Sequence, residues 1–120
     1  MKTIIAGSRT IEHLHHVTLA MEAAALVFGE PTEVVSGTAQ GVDTLGETWA
    51  RSRGIPVRQF PALWYPAPGR FDRNAGKKRN TEMAEYADAL VAVWDGSSPG
   101  TRDMIAKAKA RNLEVCVWLV

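Results

Sequence analysis

Short apolar runs alternate with helix-like periods along the 120-residue chain. Five runs rich in β-branched and aromatic residues predict strands. They lie at residues 3–6, 33–36, 56–60, 89–94 and 113–119. Between them, apolar side chains recur at steps of three and four residues, which predicts four amphipathic helices. The longest helical stripe ends at Gly29 and Pro31 and runs through Leu14, Val17, Met21, Ala24, Ala25 and Phe28.

This order, βαβαβαβαβ, is typical of a parallel sheet with right-handed helical crossovers. The nearly uninterrupted apolar runs at 89–94 and 115–120 predict strands that are buried on both faces. The fold class expected is therefore α/β, a three-layer Rossmann-like sandwich around a five-stranded parallel sheet. At 13.1 kDa the chain has the length of one domain, and we expect residues 1–120 to form it.

Composition excludes several classes of protein. Hydrophobic residues make up 46% and charged residues 22%, which is ordinary for a globular chain and argues against disorder or a coiled coil. No run of eighteen apolar residues exists, and a predicted strand follows Met1-Lys2 directly. We therefore expect a cytoplasmic protein with no membrane partner. The single Cys116 excludes an internal disulfide.

Small, hydroxyl and basic residues concentrate in the loops that follow the predicted strands. Gly7, Ser8 and Arg9 follow the first strand, a segment at 36–43 follows the second, and another at 95–101 follows the fourth. The connections at the opposite edge are simple turns. Because ligands bind beyond the carboxyl ends of parallel strands, this asymmetry predicts a ligand site there.

The segment from Ser36 to Asp43 has the chemistry of an anion site. Gly37, Thr38 and Gly41 let the backbone amides and the start of the next helix face a phosphate. The segment matches neither G-x-G-x-x-G nor the P-loop pattern, so it indicates neither a dinucleotide fingerprint nor an ATPase. A plain tight turn is the alternative. Asp43 either caps the helix or reaches a ribose hydroxyl.

A second helix start has similar features. Ser98 is expected to be its N-cap, with Pro99 at the first helical position and Gly100 completing the turn. Thr101 shares a helical stripe with the apolar Met104, so its hydroxyl heads a row that faces the core. There it meets either the sheet edge or a ligand.

Basic residues are concentrated in one decade of the chain. Residues 70–79 carry five cations against Asp72 alone. This favours a phosphate-bearing ligand, although a solvated basic helix turn would have the same composition. Arg79 is the best single candidate for a bidentate phosphate clamp. Asn80 heads the buried stripe of the predicted third helix.

Histidines and aromatic residues add two expectations. His13, His15 and His16 lack an acidic or cysteine partner in the sequence, so neither a metal site nor a cofactor is expected. Trp64-Tyr65 lies in a long proline-rich loop, where large aromatic side chains need a partner. That partner is either a base on which they stack or a second subunit, and we expect a homodimer.

Together these motifs resemble the SLOG superfamily of Rossmann-like domains, in its YspA and cpYpsA-related branch. The resemblance rests on Gly7-Ser8-Arg9, the Ser36-Gly-x-Ala-x-Gly-x-Asp43 segment, Arg79-Asn80-x-x-Met83 and Pro99-Gly100-Thr101. It covers roughly residues 2–118, and such proteins are common in bacteria and phages. The resemblance implies a nucleotide or nucleotide-derived small molecule as ligand. It places that ligand on Gly7, Ser8, Arg9, Ser36, Gly37, Thr38, Gly41, Asp43, Arg79, Asn80, Ser98, Gly100 and Thr101.

Relatives in the superfamily imply three functions. The first is a binding domain of the sensor type. The second is a phosphoribohydrolase-like enzyme that cleaves a nucleotide N-glycosidic bond, for which Asp43 and Arg79 are the candidate catalytic residues. Met104 stands where those hydrolases carry their catalytic glutamate, and Asp103 and Glu82 are expected to point away from the site. The third is single-stranded DNA binding, against which the net charge of +1 argues.

Overall fold

The computed structural model describes all 120 residues and has nine regular elements. The strands are β1 (Lys2–Gly7), β2 (Glu33–Ser36), β3 (Val57–Gln59), β4 (Ala89–Trp94) and β5 (Glu114–Leu119). The helices are α1 (Leu14–Phe28), α2 (Val42–Ser52), α3 (Ala75–Tyr86) and α4 (Pro99–Ala110). Strands and helices alternate strictly, so the predicted order is confirmed.

The five strands form one parallel sheet in the order β3-β2-β1-β4-β5. The chain adds β2 and β3 on one side of β1, and then crosses to the other side through α3 to add β4 and β5. The reversal of direction lies between β1 and β4. In parallel α/β sheets this is the point at which the loops diverge and leave a crevice at the carboxyl edge.

Two separate cores lie on the two faces of the sheet. Successive residues of a strand point to opposite faces, so Ile5 packs with α1 and α2 whereas Ile4 packs with α3 and α4. Val17 and Trp49 belong to the first core, and Met83 belongs to the second. The three-layer α/β sandwich expected from the sequence is therefore present.

The carboxyl-terminal strand departs from the expectation of burial on both faces. β4 is buried over five of its six residues, but β5 has no fully buried residue, and Leu119 is 67% exposed. The reason is its place in the sheet. β5 is an end strand that pairs only with β4, and α1 and α4 cover it incompletely. Apolar composition alone does not distinguish a central strand from an end strand.

Candidate functional site

A cleft of about 540 Å³ opens at the carboxyl edge of the sheet, beside the reversal point between β1 and β4. Eight of the thirteen ligand residues expected from the sequence line it: Gly7, Arg9, Asp43, Arg79, Asn80, Ser98, Gly100 and Thr101. A smaller cleft of about 260 Å³ adjoins it, and Gly37 and Thr38 line that one. The two clefts are adjacent and share four lining residues, Arg9, Ala39, Trp64 and Arg79.

Four cations line the larger cleft without an ion-pair partner. They are Arg9, Arg73, Lys77 and Arg79, and none of them has a carboxylate oxygen within 4.0 Å. The cleft contains two carboxylates, Asp43 and Asp103. Since opposite charges do not neutralise these cations within the chain, their field favours an anion in the cleft.

Arg79 is fixed in place by the loop that follows β2. Its Nε donates to Asn80 Oδ1 at 3.0 Å, and its Nη1 donates to the carbonyl oxygen of Gly37. Burial lowers the pKa of this guanidinium, an effect that the charge of Asp43 opposes. Arg79 is half-buried, and of its three side-chain nitrogens only Nη2 has no partner in the chain.

Asp43 is a buried carboxylate in the wall of the cleft. Its side chain accepts a hydrogen bond from the Ala39 amide at 3.2 Å, and burial raises its pKa to about 6, against the opposing charges of Arg79 and Arg9. A Cβ on Gly37 would lie 2.8 Å from both Asp43 Oδ2 and Arg79 Nη1. Because glycine has no side chain at position 37, the Asp43 carboxylate and the Arg79 guanidinium can both lie close to this loop.

The first turn of α4 presents free hydrogen-bond donors to the cleft. The amides of Gly100 and Thr101 have no acceptor in the chain, and the Thr101 hydroxyl makes no hydrogen bond. Ser98 occupies the N-cap position as expected, but its hydroxyl does not cap the helix and bonds instead to Asp95 and Ser8. The helix start is therefore open to an anionic or hydroxylated ligand.

Asn80 and Asp103 join α3 to α4 beneath the cleft. Asn80 Nδ2 donates to Asp103 Oδ2 at 3.0 Å and to the Gly100 carbonyl at 3.3 Å, and Lys107 pairs with the same Asp103 oxygen at 2.8 Å. The expectation that Asp103 points away was wrong. It lies three residues after Gly100, on the same helical face, and that spacing could have revealed it.

Ser8 and Gly41 shape the cleft from behind without lining it. Ser8 is fully buried, and its Oγ accepts the Asp95 amide at 3.0 Å and lies 3.1 Å from Ser98 Oγ. Gly41 has φ +76°, and a Cβ there would lie 2.4 Å from the Ser8 carbonyl oxygen. These residues connect the loops after β1 and β4 to the start of α2.

Ser36 also lies outside both clefts. Its hydroxyl donates to Glu47 Oε2 at 2.6 Å and accepts the Thr38 amide at 3.1 Å. The amides of Thr38 and Ala39, expected to face a phosphate, are thus bonded to side chains of the chain itself. The buried Glu47 was not expected from the sequence; it lies one helical turn after Asp43 and also accepts hydrogen bonds from two other side chains.

The loop between β3 and α3, together with the first turn of α3, contributes three cleft residues that were not expected there from the sequence. Trp64 lines both clefts, and Arg73 and Lys77 line the larger one. Their charges and aromatic character were visible in the sequence. Their position was not, because it depends on how the irregular loop of fifteen residues at 60–74 folds back over the sheet edge.

The histidines cluster without forming a metal site. His15 and His16 have ring centroids 4.0 Å apart at the start of α1, and no group of three or more His, Cys, Asp or Glu side chains is placed to hold a metal ion.

None of the helices is long and apolar enough to cross a membrane.

Comparisons with known proteins identify a family, a relative and a structural neighbour. The family model of the YspA, cpYpsA-related SLOG family matches residues 1–65. An uncharacterized SPbeta prophage-derived protein, YoqJ from Bacillus subtilis (strain 168), is 41% identical over 51 residues, which are 42% of this chain and 30% of that protein. The structure of DNA processing protein A from Streptococcus pneumoniae superposes with a TM-score of 0.73 at 18% identity. That superposition covers 97% of this chain but 49% of the other, so this chain spans about half its length.

Proposed function

Since the chain belongs to the YspA, cpYpsA-related SLOG family, we propose that it binds a nucleotide or a nucleotide derivative in the cleft at the carboxyl edge of its sheet, as a sensor-type domain. The observation that carries the proposal is the set of four unpaired cations, Arg9, Arg73, Lys77 and Arg79, in one cleft with the open start of α4. Cations and free helix amides are the groups that bind phosphate.

The net charge of the cleft indicates how many negative charges the ligand carries. Four cations face two carboxylates, and Lys107 already neutralises Asp103. A ligand that carries two or more negative charges balances this excess, which a phosphate monoester or a diphosphate does. The Thr101 hydroxyl and the Gly100 amide supply uncharged donors for phosphate or ribose oxygens.

Binding is tested with a panel of nucleoside monophosphates and diphosphates, NAD, ribose 5-phosphate and inorganic phosphate, by thermal shift and then by calorimetry. A ligand present at 100 times its Kd adds about 2.7 kcal/mol to the free energy of unfolding. Arg73→Ala should weaken binding about 10-fold or more, because Arg73 has no partner in the chain whose loss would disturb the fold.

The matched control is Arg53→Ala, which removes the same charge at the carboxyl end of α2, at the opposite edge of the sheet. The control should leave affinity unchanged. Equal losses in the two variants would mean that net charge alone attracts the ligand. Absence of binding by every compound in the panel would refute the proposal.

One observation favours a second candidate function, hydrolysis of a nucleotide N-glycosidic bond. Asp43 is a buried carboxylate in the cleft, and burial raises its pKa to about 6, a range that suits general acid or base chemistry. Met104, in the same wall, cannot transfer a proton. The two functions are separated by incubating the protein with nucleoside monophosphates and NAD and by looking for free base by chromatography. Steady release that Asp43→Asn abolishes would establish the hydrolase, whereas binding without release supports the sensor.

A further inference from the structure

Trp64 occupies a position that its neighbours in the loop do not share. Leu63 and Tyr65 are exposed to solvent on either side of it, at 67% and 64%. Trp64 is half-buried and lines both the larger cleft and the adjoining one. A large aromatic side chain that borders a cation-rich cleft offers a planar apolar surface beside those charges.

Three contacts hold the indole in this position, and they come from Phe71, Asp72 and Gly76. The Phe71 ring is parallel to it within 8°, with centroids 6.0 Å apart, and Phe71 lines neither of the clefts that Trp64 lines. The Asp72 amide donates to the Trp64 carbonyl at 2.7 Å and fixes its backbone. A Cβ on Gly76 would lie 3.3 Å from Trp64 Cη2, so the glycine lets the ring lie against the first turn of α3.

The guanidinium of Arg79 lies beside the ring. A Cβ on Gly76, which would lie 3.3 Å from the indole, would also lie 3.7 Å from Arg79 Nη2. This is the nitrogen of Arg79 that has no partner in the chain. An aromatic ring next to a guanidinium nitrogen that has no partner in the chain provides the two contacts that a nucleotide needs. The ring stacks on its base, and the cation binds its phosphate.

We propose that Trp64 is the stacking platform for the base of the bound nucleotide, backed by Phe71 and placed beside Arg79 by Gly76. This inference rests on the proposed function and deepens it, because it adds a contact with the base to the contacts with the phosphate. Every base has a stacking face, so the platform accepts all four bases and favours the larger purines.

The experiment measures calorimetric affinities of AMP, GMP, CMP and UMP, with ribose 5-phosphate as the probe that lacks a base. The wild-type protein should bind at least one nucleotide about 10-fold or more tightly than ribose 5-phosphate. Trp64→Ala should remove that advantage and leave the affinity for ribose 5-phosphate unchanged, and Trp64→Phe should retain part of it. Tyr65→Ala, the adjacent aromatic that lines neither cleft, is the matched control and should behave as wild type.

The outcomes separate this inference from the proposed function. If wild type binds nucleotides and ribose 5-phosphate equally, the platform is refuted while phosphate binding stands. If Trp64→Ala weakens nucleotides and ribose 5-phosphate by the same factor, Trp64 only supports the wall of the cleft, and the platform is again refuted. If none of the five compounds binds, the platform is refuted, and the proposed function is decided by the nucleoside diphosphates, NAD and inorganic phosphate of the larger panel. Thermal unfolding of each variant shows that the comparison is made between folded proteins.

Discussion

Replacing Asp43 by asparagine should stabilise the protein at neutral pH and leave its stability unchanged in acid. Burial raises the pKa of this carboxyl from 3.8 to about 6 in the folded protein, since its ionised form loses hydration that Arg79 and Arg9 do not fully replace. At about 1.36 kcal/mol per pH unit, the difference corresponds to about 3 kcal/mol. Asparagine has the shape of the protonated acid and carries no charge at any pH.

The sign of the effect follows from proton binding. Below pH 3.8 the carboxyl is protonated in the folded and the unfolded chain, and it makes no difference to stability. Between pH 3.8 and about 6 the folded protein binds more protons than the unfolded chain, so the free energy of unfolding falls as pH rises. Above this window wild type carries the full penalty of about 3 kcal/mol that Asp43→Asn lacks.

Urea denaturation of both proteins from pH 4 to pH 8 measures this difference directly. Glu12→Gln, at an exposed carboxylate, is the control and should follow wild type at every pH. The gap between Asp43→Asn and wild type should open through the window from 3.8 to about 6 and then stay constant. A variant less stable than wild type at pH 8 would refute the reasoning, because it would show that the two arginines stabilise the carboxylate by more than burial destabilises it.

Three further predictions concern the loops and the assembly. Gly41→Ala should lower the free energy of unfolding by at least about 1 kcal/mol, because φ is +76° and the new Cβ would meet the Ser8 carbonyl oxygen; an unchanged urea midpoint would contradict this. Ser8→Ala should cost about 1–3 kcal/mol in the same assay, since the Asp95 amide loses its acceptor, and a loss confined to ligand affinity would instead place Ser8 in the binding site. Light scattering should give a dimer of twice 13.1 kDa, because the loop after β3 exposes the large apolar side chains of Leu63 and Tyr65, and a 13 kDa particle at high micromolar concentration would exclude the dimer.

The alternation of elements could be predicted from the sequence because each element has its own apolar period. The stripe from Leu14 to Phe28 matches α1 at both ends, and the run at 89–94 matches β4. The order of strands could not be predicted in this way. Nothing in the run at 113–119 shows that β5 lies at the end of the sheet, and its exposure follows from that place alone.

The site was predictable at the level of loops but not of side chains. Gly100 and Thr101 line the cleft because a helix begins there, and the sequence marks that start with Pro99. The hydroxyls of Ser8 and Ser36 have the same chemistry as a ligand-binding serine, yet they bond to other parts of the chain. A sequence shows that a hydroxyl is present at a loop, and only the three-dimensional arrangement shows which acceptors surround it.

The hydrogen bonds of Ser8 have a consequence for motion. Its amide bonds to Val93, its carbonyl accepts the amides of Ile11 and Val42, and its hydroxyl meets the loop after β4. One side of the cleft can therefore open only by breaking the hydrogen bonds of the fully buried Ser8, and the amides of Ser8 and Val42 should exchange with solvent on the timescale of global unfolding. The opposite side is the loop at 61–74, which is mostly exposed and whose hydrogen bonds stay within the loop and the first turn of α3. We therefore expect the proposed ligand to enter and leave past this loop, and not past the loops that Ser8 holds together.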